Sequence, residues 1–437
     1  MILIKNVSIL TMNENKDIIE NGFVLISNNM IIYVGDSFED ATKDYKDFDI
    51  IDGKNGILIP GMINCHTHIS MVAFRSLADD CKDRLKRYLF PLEKMLVDEK
   101  LTYIGAKYGI AEMLLGGVTT FCDMYYFEDE VAKASKELNI RGVLLETVVD
   151  FISPDSDKEF GGIDYSKDFI KKWKNDDLIK VGLAPHAPYT NTSESLKECF
   201  KVSKENNTLM SMHVAEMDYE LDECIKKYNM TPVEYLNSLG ILNRNFVSAH
   251  TVLINDNDIN ILKEKNVGIS HNVGANSKGA KGVMPILKMI DKGINIGLGT
   301  DGPMSGNTLD IITQMPQVAK VHKLFNNDRS ILPCDKILEM ATIGGAKVLN
   351  MENEIGSIEV GKKADLVLIE TDSVNMQPIY DYYSTIVYSA NPSNVSMVIV
   401  DGKVVVNDKK LLSGDFNSIR KDLINLKEDI LKVANTL

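Results

Sequence analysis

No two cysteines in this chain form a C-x-x-C pair, and the six present (65, 81, 122, 199, 224 and 334) are scattered. This excludes a disulfide framework and a thiolate zinc site, and leaves small buried residues suited to a reducing compartment. Long apolar runs are missing as well. Nothing approaches the roughly 18 residues of a membrane span, and the opening Met1-Ile2-Leu3-Ile4-Lys5-Asn6 has no basic region leading into an apolar stretch. The expectation is a soluble cytoplasmic protein with no membrane partner. Basic residues are outnumbered 48 to 62, and a net charge of −14 offers no concentrated basic face for nucleic acid. Phosphate chemistry lacks its loop: the glycines of GAKGVMP (279–285) do not have the context of one, so ATP use is not expected. The cysteine-bearing H-x-E and P-C-x-x-C pattern of nucleic-acid base deaminases is also absent. Histidine is scarce, with seven in 437 residues.

The chain does contain two kinds of segment. Its first 55 residues hold short β-rich pieces (Ile2-Leu3-Ile4, Phe23 to Ile26, Ile31 to Gly35) separated by Asn, Asp and Gly. The same pattern returns late, in DLVLIE (365–370) and in MVIVDGKVVV (397–406), where Asp401-Gly402 marks a tight hairpin. Residues 418 to 437 alternate charged and aliphatic residues at helical spacing, as a single docked surface helix would. Two separated β segments can share one small domain.

Between about 57 and 340 come eight short apolar runs, most of them separated by polar or helix-like stretches: ILIPGMINCHTH, GVTTFCDM, IRGVLLETV, IKVGLAPHAP, LMSMHVAE, NFVSAHTV, VGISHNV and INIGLGTDG. Strand alternating with helix implies a parallel sheet, and eight units close into a (β/α)₈ barrel. The fold class expected is therefore α/β, a TIM-like barrel with a small composite β-sandwich domain. The division is 1–58 (sandwich, first part), 59–358 (barrel) and 359–437 (sandwich, second part, plus the helix).

The runs finish in chemically useful residues: His66 and His68, Asp123, Glu146, His186, His213 and Glu216, His250, His271, Asp301. At the C-terminal ends of barrel strands these would converge on one mouth. Side chains alternate along a strand, so His66 and His68 should point one way while Cys65 and Thr67 point the other. Such an H-x-H is a ready chelate for zinc or ferrous iron. His213 adds a third nitrogen, Asp301 an oxygen, and Glu216 a nearby carboxylate. His250 is placed to touch a metal's water without ligating. His322 reads as a plain surface residue.

H-x-H after Pro60-Gly61, then H-x-x-E, A-H and T-D-G, in that order, resemble the amidohydrolase superfamily and its mononuclear deaminase branch. FPLEKML, PHAPYT, HVAE and GLGTDGPMSGNTLDI are similar to the 5′-methylthioadenosine/S-adenosylhomocysteine deaminases and their 5′-deoxyadenosine-acting relatives, and GSIEVGKKADLVLIE to the family's re-entry from the barrel. The resemblance implies one divalent cation per subunit on His66, His68, His213 and Asp301. Zinc comes first, with Fe²⁺ and Mn²⁺ also accepted by these ligands. Such a cation brings the pKa of a bound water from 15.7 toward about 7. It implies Glu216, His250 and Asp301 as catalytic residues, with Glu216 shuttling a proton to the purine ring and to leaving ammonia. It implies Glu93 (on the ribose), His186, Glu216 and Asp301 as contacts to a small purine nucleoside, which becomes its inosine analogue.

Arginines suited to the carboxylate of S-adenosylhomocysteine are absent where they would be sought, Glu146 and Ile163 standing there instead. A carboxylate beside a carboxylate is repulsive, which favours 5′-methylthioadenosine, 5′-deoxyadenosine or adenosine unless Arg84 or Arg87 turns inward. Val273 stands where the family commonly has Pro, leaving His271 a structural or supporting role. A binuclear hydrolase with a carboxylated lysine is disfavoured, since the fourth run ends in His186 and starts near Lys180. Guanine-, pterin- or triazine-type aminohydrolases share the motif frame, and a metal-free scaffold is the non-enzyme alternative. The sequence leaves homo-oligomer formation open.

Overall fold

The computed structural model describes residues 1–437 and contains two eight-stranded sheets. The N-terminal segment supplies β1 (Ile2–Leu10), β2 (Ile18–Ser27), β3 (Met30–Gly35) and β4 (Asp49–Pro60). The barrel sheet follows in chain order: β5 (Met62–Thr67), β6 (Val118–Tyr125), β7 (Arg141–Val148), β8 (Ile179–Pro185), β9 (Met210–Val214), β10 (Phe246–His250), β11 (Gly268–His271) and β12 (Ile296–Leu298). The C-terminal segment returns as β13 (Leu366–Ile369), β14 (Val395–Val400), β15 (Lys403–Asn407) and β16 (Lys410–Leu411).

Neighbouring barrel strands are parallel, as crossover helices require. The last strand closes on the first. Thr300 and Asp301 amides both donate to the His66 carbonyl (3.2 and 3.0 Å), and the Asn64 side chain donates to Thr300 Oγ1 (2.8 Å) and accepts from its amide (3.2 Å). This closure sets His66 and Asp301 side by side.

The terminal strands form one continuous sheet, ordered β16-β15-β14-β13-β4-β1-β2-β3. Its halves meet where β4 runs antiparallel to β13, Leu58 opposite Leu368. Ile4, Val24 and Leu58 from one half share a core with Leu366, Met397 and Ile399 from the other, so the composite domain is a sheet layered over its own core. The 397–406 hairpin turns at Asp401 and Gly402, both with positive φ (50° and 76°), as a primed turn demands. Arg141, fully buried at the start of β7, joins the two bodies through Asp365 (2.9 and 3.2 Å) and Asp401 (3.0 Å). Removing one partner of such a buried pair costs roughly 3–5 kcal/mol, because the other charge stays behind.

Three local expectations need correction. The first apolar run is not one barrel strand, because its Ile57-Leu58-Ile59-Pro60 portion ends β4 and the barrel begins only at Met62. The C-terminal helix is two helices, Phe416–Asn425 and Lys427–Ala434, with a break near Leu426. His322 is buried, and its Nε2 meets His271 Nε2 at 2.9 Å, because the apolar face of helix Gln314–Phe325 turns it toward β11.

Candidate metal centre and nucleoside pocket

β5 is irregular at the point that matters. Its register against β6 shifts between Asn64 and Thr67, and His68 lies just past the strand end. Cys65 nonetheless turns away from the imidazoles, as alternation predicts, into a buried core with Cys122 and Val143. A shift of this kind re-aims side chains. The two imidazoles still converge, with ring centroids 4.9 Å apart.

His213 arrives from the end of β9. His66 Nε2 and His68 Nε2 each lie 3.2 Å from His213 Nε2, and Asp301 Oδ1 lies 3.3 Å from His68 Nε2 and 4.0 Å from His66 Nε2. The hydrogen-bond pattern assigns the tautomers. His68 Nδ1 donates to the Met124 carbonyl (2.5 Å) and His213 Nδ1 to the His186 carbonyl (2.9 Å), which leaves lone pairs on both Nε2 atoms. Lone pairs held this close repel each other unless a cation lies between them.

Burial drives His66 and His213 well below the ordinary value of 6.5, into the neutral form that ligates. His68 goes the other way, up to about 9: burial lowers it, but Asp301 outweighs burial, so its Nε2 takes up a proton beside Asp301 unless a cation occupies that lone pair, and the site draws positive charge either way. Three imidazole nitrogens and one carboxylate fit a divalent cation of the zinc, iron or manganese type. His66, His213, His250 and Asp301 also form one compact set, with ligand atoms all within 4.8 Å of one another. His250 Nδ1 donates to Asn276 Oδ1 (2.7 Å), and its buried Nε2 has no partner. That nitrogen is 3.7 Å from Glu216 Oε1 and 3.8 Å from Asp301 Oδ2, the place for orienting a small molecule between them.

The backbone is strained where these groups are delivered. Ala215, His250 and Asp301 have φ of 52°, 69° and 58°, values that non-glycine residues seldom adopt. Conformations of this kind cluster at functional sites because the surrounding fold over-determines them.

A cavity of about 640 Å³ opens above this cluster, lined by His68, Glu93, Tyr125, His186, His213, Glu216 and Asp301 among others. Glu93 is buried on the short helix Phe90–Leu96, and burial pushes its carboxyl up to about 7 against the opposing Tyr125 phenol and His68. His186 is half-buried, its Nδ1 3.1 Å from Thr190 Oγ1. Arg84 turns in toward the cavity and donates to the Met304 carbonyl, 3.9 Å from Asp79, whereas Arg87 turns out to the Leu437 carbonyl (3.2 Å).

Several strand-end residues do not reach this mouth. Asp123 accepts from the Ile69 amide (2.7 Å), and Glu146 is fully buried and accepts from the Glu128 amide (3.1 Å). Glu146 therefore neither holds nor repels a substrate carboxylate. Ile163 lies buried on helix Gly162–Trp173. Lys180 is exposed at the far end of β8. Sequence reasoning missed Lys281, an almost buried cavity residue whose ammonium pairs with Glu216 and stands 3.8 Å from Asp301 Oδ2. No motif signals it. The hint was a charged residue in the loop just after the seventh run.

The amidohydrolase family profile matches residues 57–405. A 5-methylthioadenosine/S-adenosylhomocysteine deaminase from Thermoanaerobacter pseudethanolicus is 39% identical over 422 residues, covering 96% of each chain. A 5'-deoxyadenosine deaminase from Methanobrevibacter smithii is 40% identical over 436 residues, covering 98% of each. An adenosine deaminase from Xanthomonas campestris, solved with bound zinc, superposes with a TM-score of 0.96 at 27% identity, covering 99% of this chain and 98% of that one. The chain belongs to the amidohydrolase family.

Proposed function

We infer that this chain is a metal-dependent hydrolase that deaminates an adenine nucleoside to its inosine analogue and ammonia, with zinc as the resident ion. The carrying observation is the convergence of the Nε2 atoms of His66, His68 and His213 with Asp301 at the floor of a nucleoside-sized cavity. Relatives named for action on 5-methylthioadenosine, S-adenosylhomocysteine and 5'-deoxyadenosine support the substrate class, and the zinc-bound adenosine deaminase supports the ion. In the three-part division expected from the sequence, segment 59–358 carries the whole site.

A divalent cation held there supplies a water activated for attack near neutral pH. The protein's own groups do the rest. The free His250 Nε2 accepts a hydrogen bond from the attacking water, aligning it with Asp301 Oδ2. Burial raises the Glu216 carboxyl, but the His250 and Lys281 side chains prevail and hold it ionised, well below the usual carboxylate range, ready to take a proton. That proton passes to the ring nitrogen beside C6 and stays there in the hypoxanthine product, while the water's second proton leaves the attacking oxygen as C6–O becomes a carbonyl and goes to ammonia as the C6–N bond breaks. Glu93 accepts from the ribose hydroxyls, and His186 borders the base.

The apolar lining of the cavity includes Met71, Leu85, Leu89, Phe90, Val149 and Phe151. Its one inward arginine, Arg84, is already engaged, so neutral 5′-substituents (methylthio, hydrogen, hydroxyl) suit it better than an amino-acid carboxylate. The test follows ammonia release and the adenine-to-hypoxanthine absorbance change across 5′-methylthioadenosine, 5′-deoxyadenosine, adenosine, S-adenosylhomocysteine, guanine and cytosine. Only adenine nucleosides should react, those with neutral 5′-groups best. Comparable turnover of free guanine overturns the substrate class.

A further inference from the structure

Lys281 is the one ammonium in contact with the catalytic carboxylates. Its side chain is only 10% exposed and lines the nucleoside cavity. The loop is shaped to put it there. The Lys281 amide donates to the Asn276 carbonyl (2.9 Å) at the end of helix Val273–Lys278, and the lysine is flanked by Ala280 at φ 52° and Gly282 at φ 111°. An alanine in the left-handed region is costly, and here that strain aims a long cationic side chain inward. The helix that delivers it also presents Asn276 to His250, so one short element positions two groups of the site.

A buried lysine has three donors and needs acceptors for them. Glu216 takes one, and Asp301 Oδ2, at 3.8 Å, lies beyond hydrogen-bond length. Because the side chain lines the cavity, its remaining hydrogens are available to a molecule bound there. The amino group on purine C6 has a ring acceptor on either side, N1 bonded to C6 itself and N7 bonded to the neighbouring C5. The acid that protonates N1 is already assigned to Glu216, and a donor beside both Glu216 and Asp301 has N7 as the remaining acceptor near C6. We propose that Lys281 is a substrate-binding residue that donates a charge-assisted hydrogen bond to N7 of the purine, fixing ring orientation and drawing electron density from the carbon under attack. This deepens the nucleoside-deaminase reading and rests on it.

The experiment is a double perturbation: wild type, Lys281→Met and Lys281→Gln, each on adenosine and on 7-deazaadenosine, which carries C–H in place of N7. 3-Deazaadenosine serves as the control, and metal content and melting temperature are recorded for each variant. Loss of a hydrogen bond to a charged donor should lower kcat/KM of Lys281→Met on adenosine about 10- to 100-fold. The wild type should lose a similar factor on 7-deazaadenosine, and the two losses should not add. With 3-deazaadenosine they should multiply. The same pattern is expected in dissociation constants for inosine and 7-deazainosine, read by calorimetry without turnover. Multiplying losses on 7-deazaadenosine, in both variants with metal retained, overturn the Lys281 assignment alone. If the metal-loaded wild type turns over no adenine nucleoside, the deaminase reading itself fails, and the assignment with it.

Discussion

Two groups of buried ionisable side chains lie at the strand ends of the same barrel, and they handle protons in opposite ways. At the ends of β5 and β9, His66, His68 and His213 bring their Nε2 atoms together beside Asp301, which follows β12, with His250 of β10 close by, an arrangement suited to a cation. Within β6, just after it and toward the end of β7, Asp123, Glu128 and Glu146 crowd together with no lysine or arginine paired to them. Burial pushes Asp123 up to about 7, and Glu128 and Glu146 well above the usual carboxyl range. Burial thus favours the protonated form of these carboxyls, which brace the Ile69, Tyr125 and Glu128 amides. A strand end supplies a position, and the neighbouring charges decide whether that position binds a metal or a backbone amide.

The comparison breaks most visibly on the basic side. Asp301→Ala should strip the metal and lower kcat/KM by roughly 10³-fold or more, as metal analysis and steady-state rates would show. Glu216→Gln separates chemistry from ligation: kcat should fall about 10²- to 10⁴-fold with metal content unchanged. A smaller effect is expected at Glu93. Its carboxyl, pushed up to about 7, must ionise to accept two ribose hydroxyls, so KM should fall as pH rises through about 7. Glu93→Gln should raise KM about tenfold and flatten that profile.

The acidic side answers through stability rather than rate. Carboxyls whose native pKa is raised hold protons more tightly when folded. The stability they contribute is complete below their unfolded values near 4 and is lost as pH rises through 7 and beyond. The melting temperature of the wild type should therefore drop between pH 6 and 8.5. Glu146→Gln, neutral at every pH, should reduce that drop and leave kcat within about twofold. A larger loss of activity in Glu146→Gln would mean that the two clusters are not separate.

The barrel and its composite partner were legible because strand periodicity is a local signal, and the placement of the rare histidines pointed to the cluster proposed here as the metal site. What escaped the sequence depended on neighbours. Asp123 and Glu146 end strands as His213 does, yet they turn to backbone amides. His322 looked exposed until helix Gln314–Phe325 packed against β11. Lys281 lies in a loop with no periodicity, and only its backbone path shows where its ammonium goes. The break between the last two helices, near Leu426, carries no glycine or proline to announce it. There, packing of Ile430 beside Leu89 and Leu92 overrides a continuous helical pattern.

The most direct measurement is anomalous diffraction from crystals of the purified protein, collected on both sides of the zinc edge. The account predicts a single peak per chain, bonded by Nε2 of His66, His68 and His213 and by an Asp301 oxygen, with Glu216 and Lys281 facing it across the cavity. A peak centred among Asp123, Glu128 and Glu146, or a fully folded and active protein with no bound metal, would contradict it.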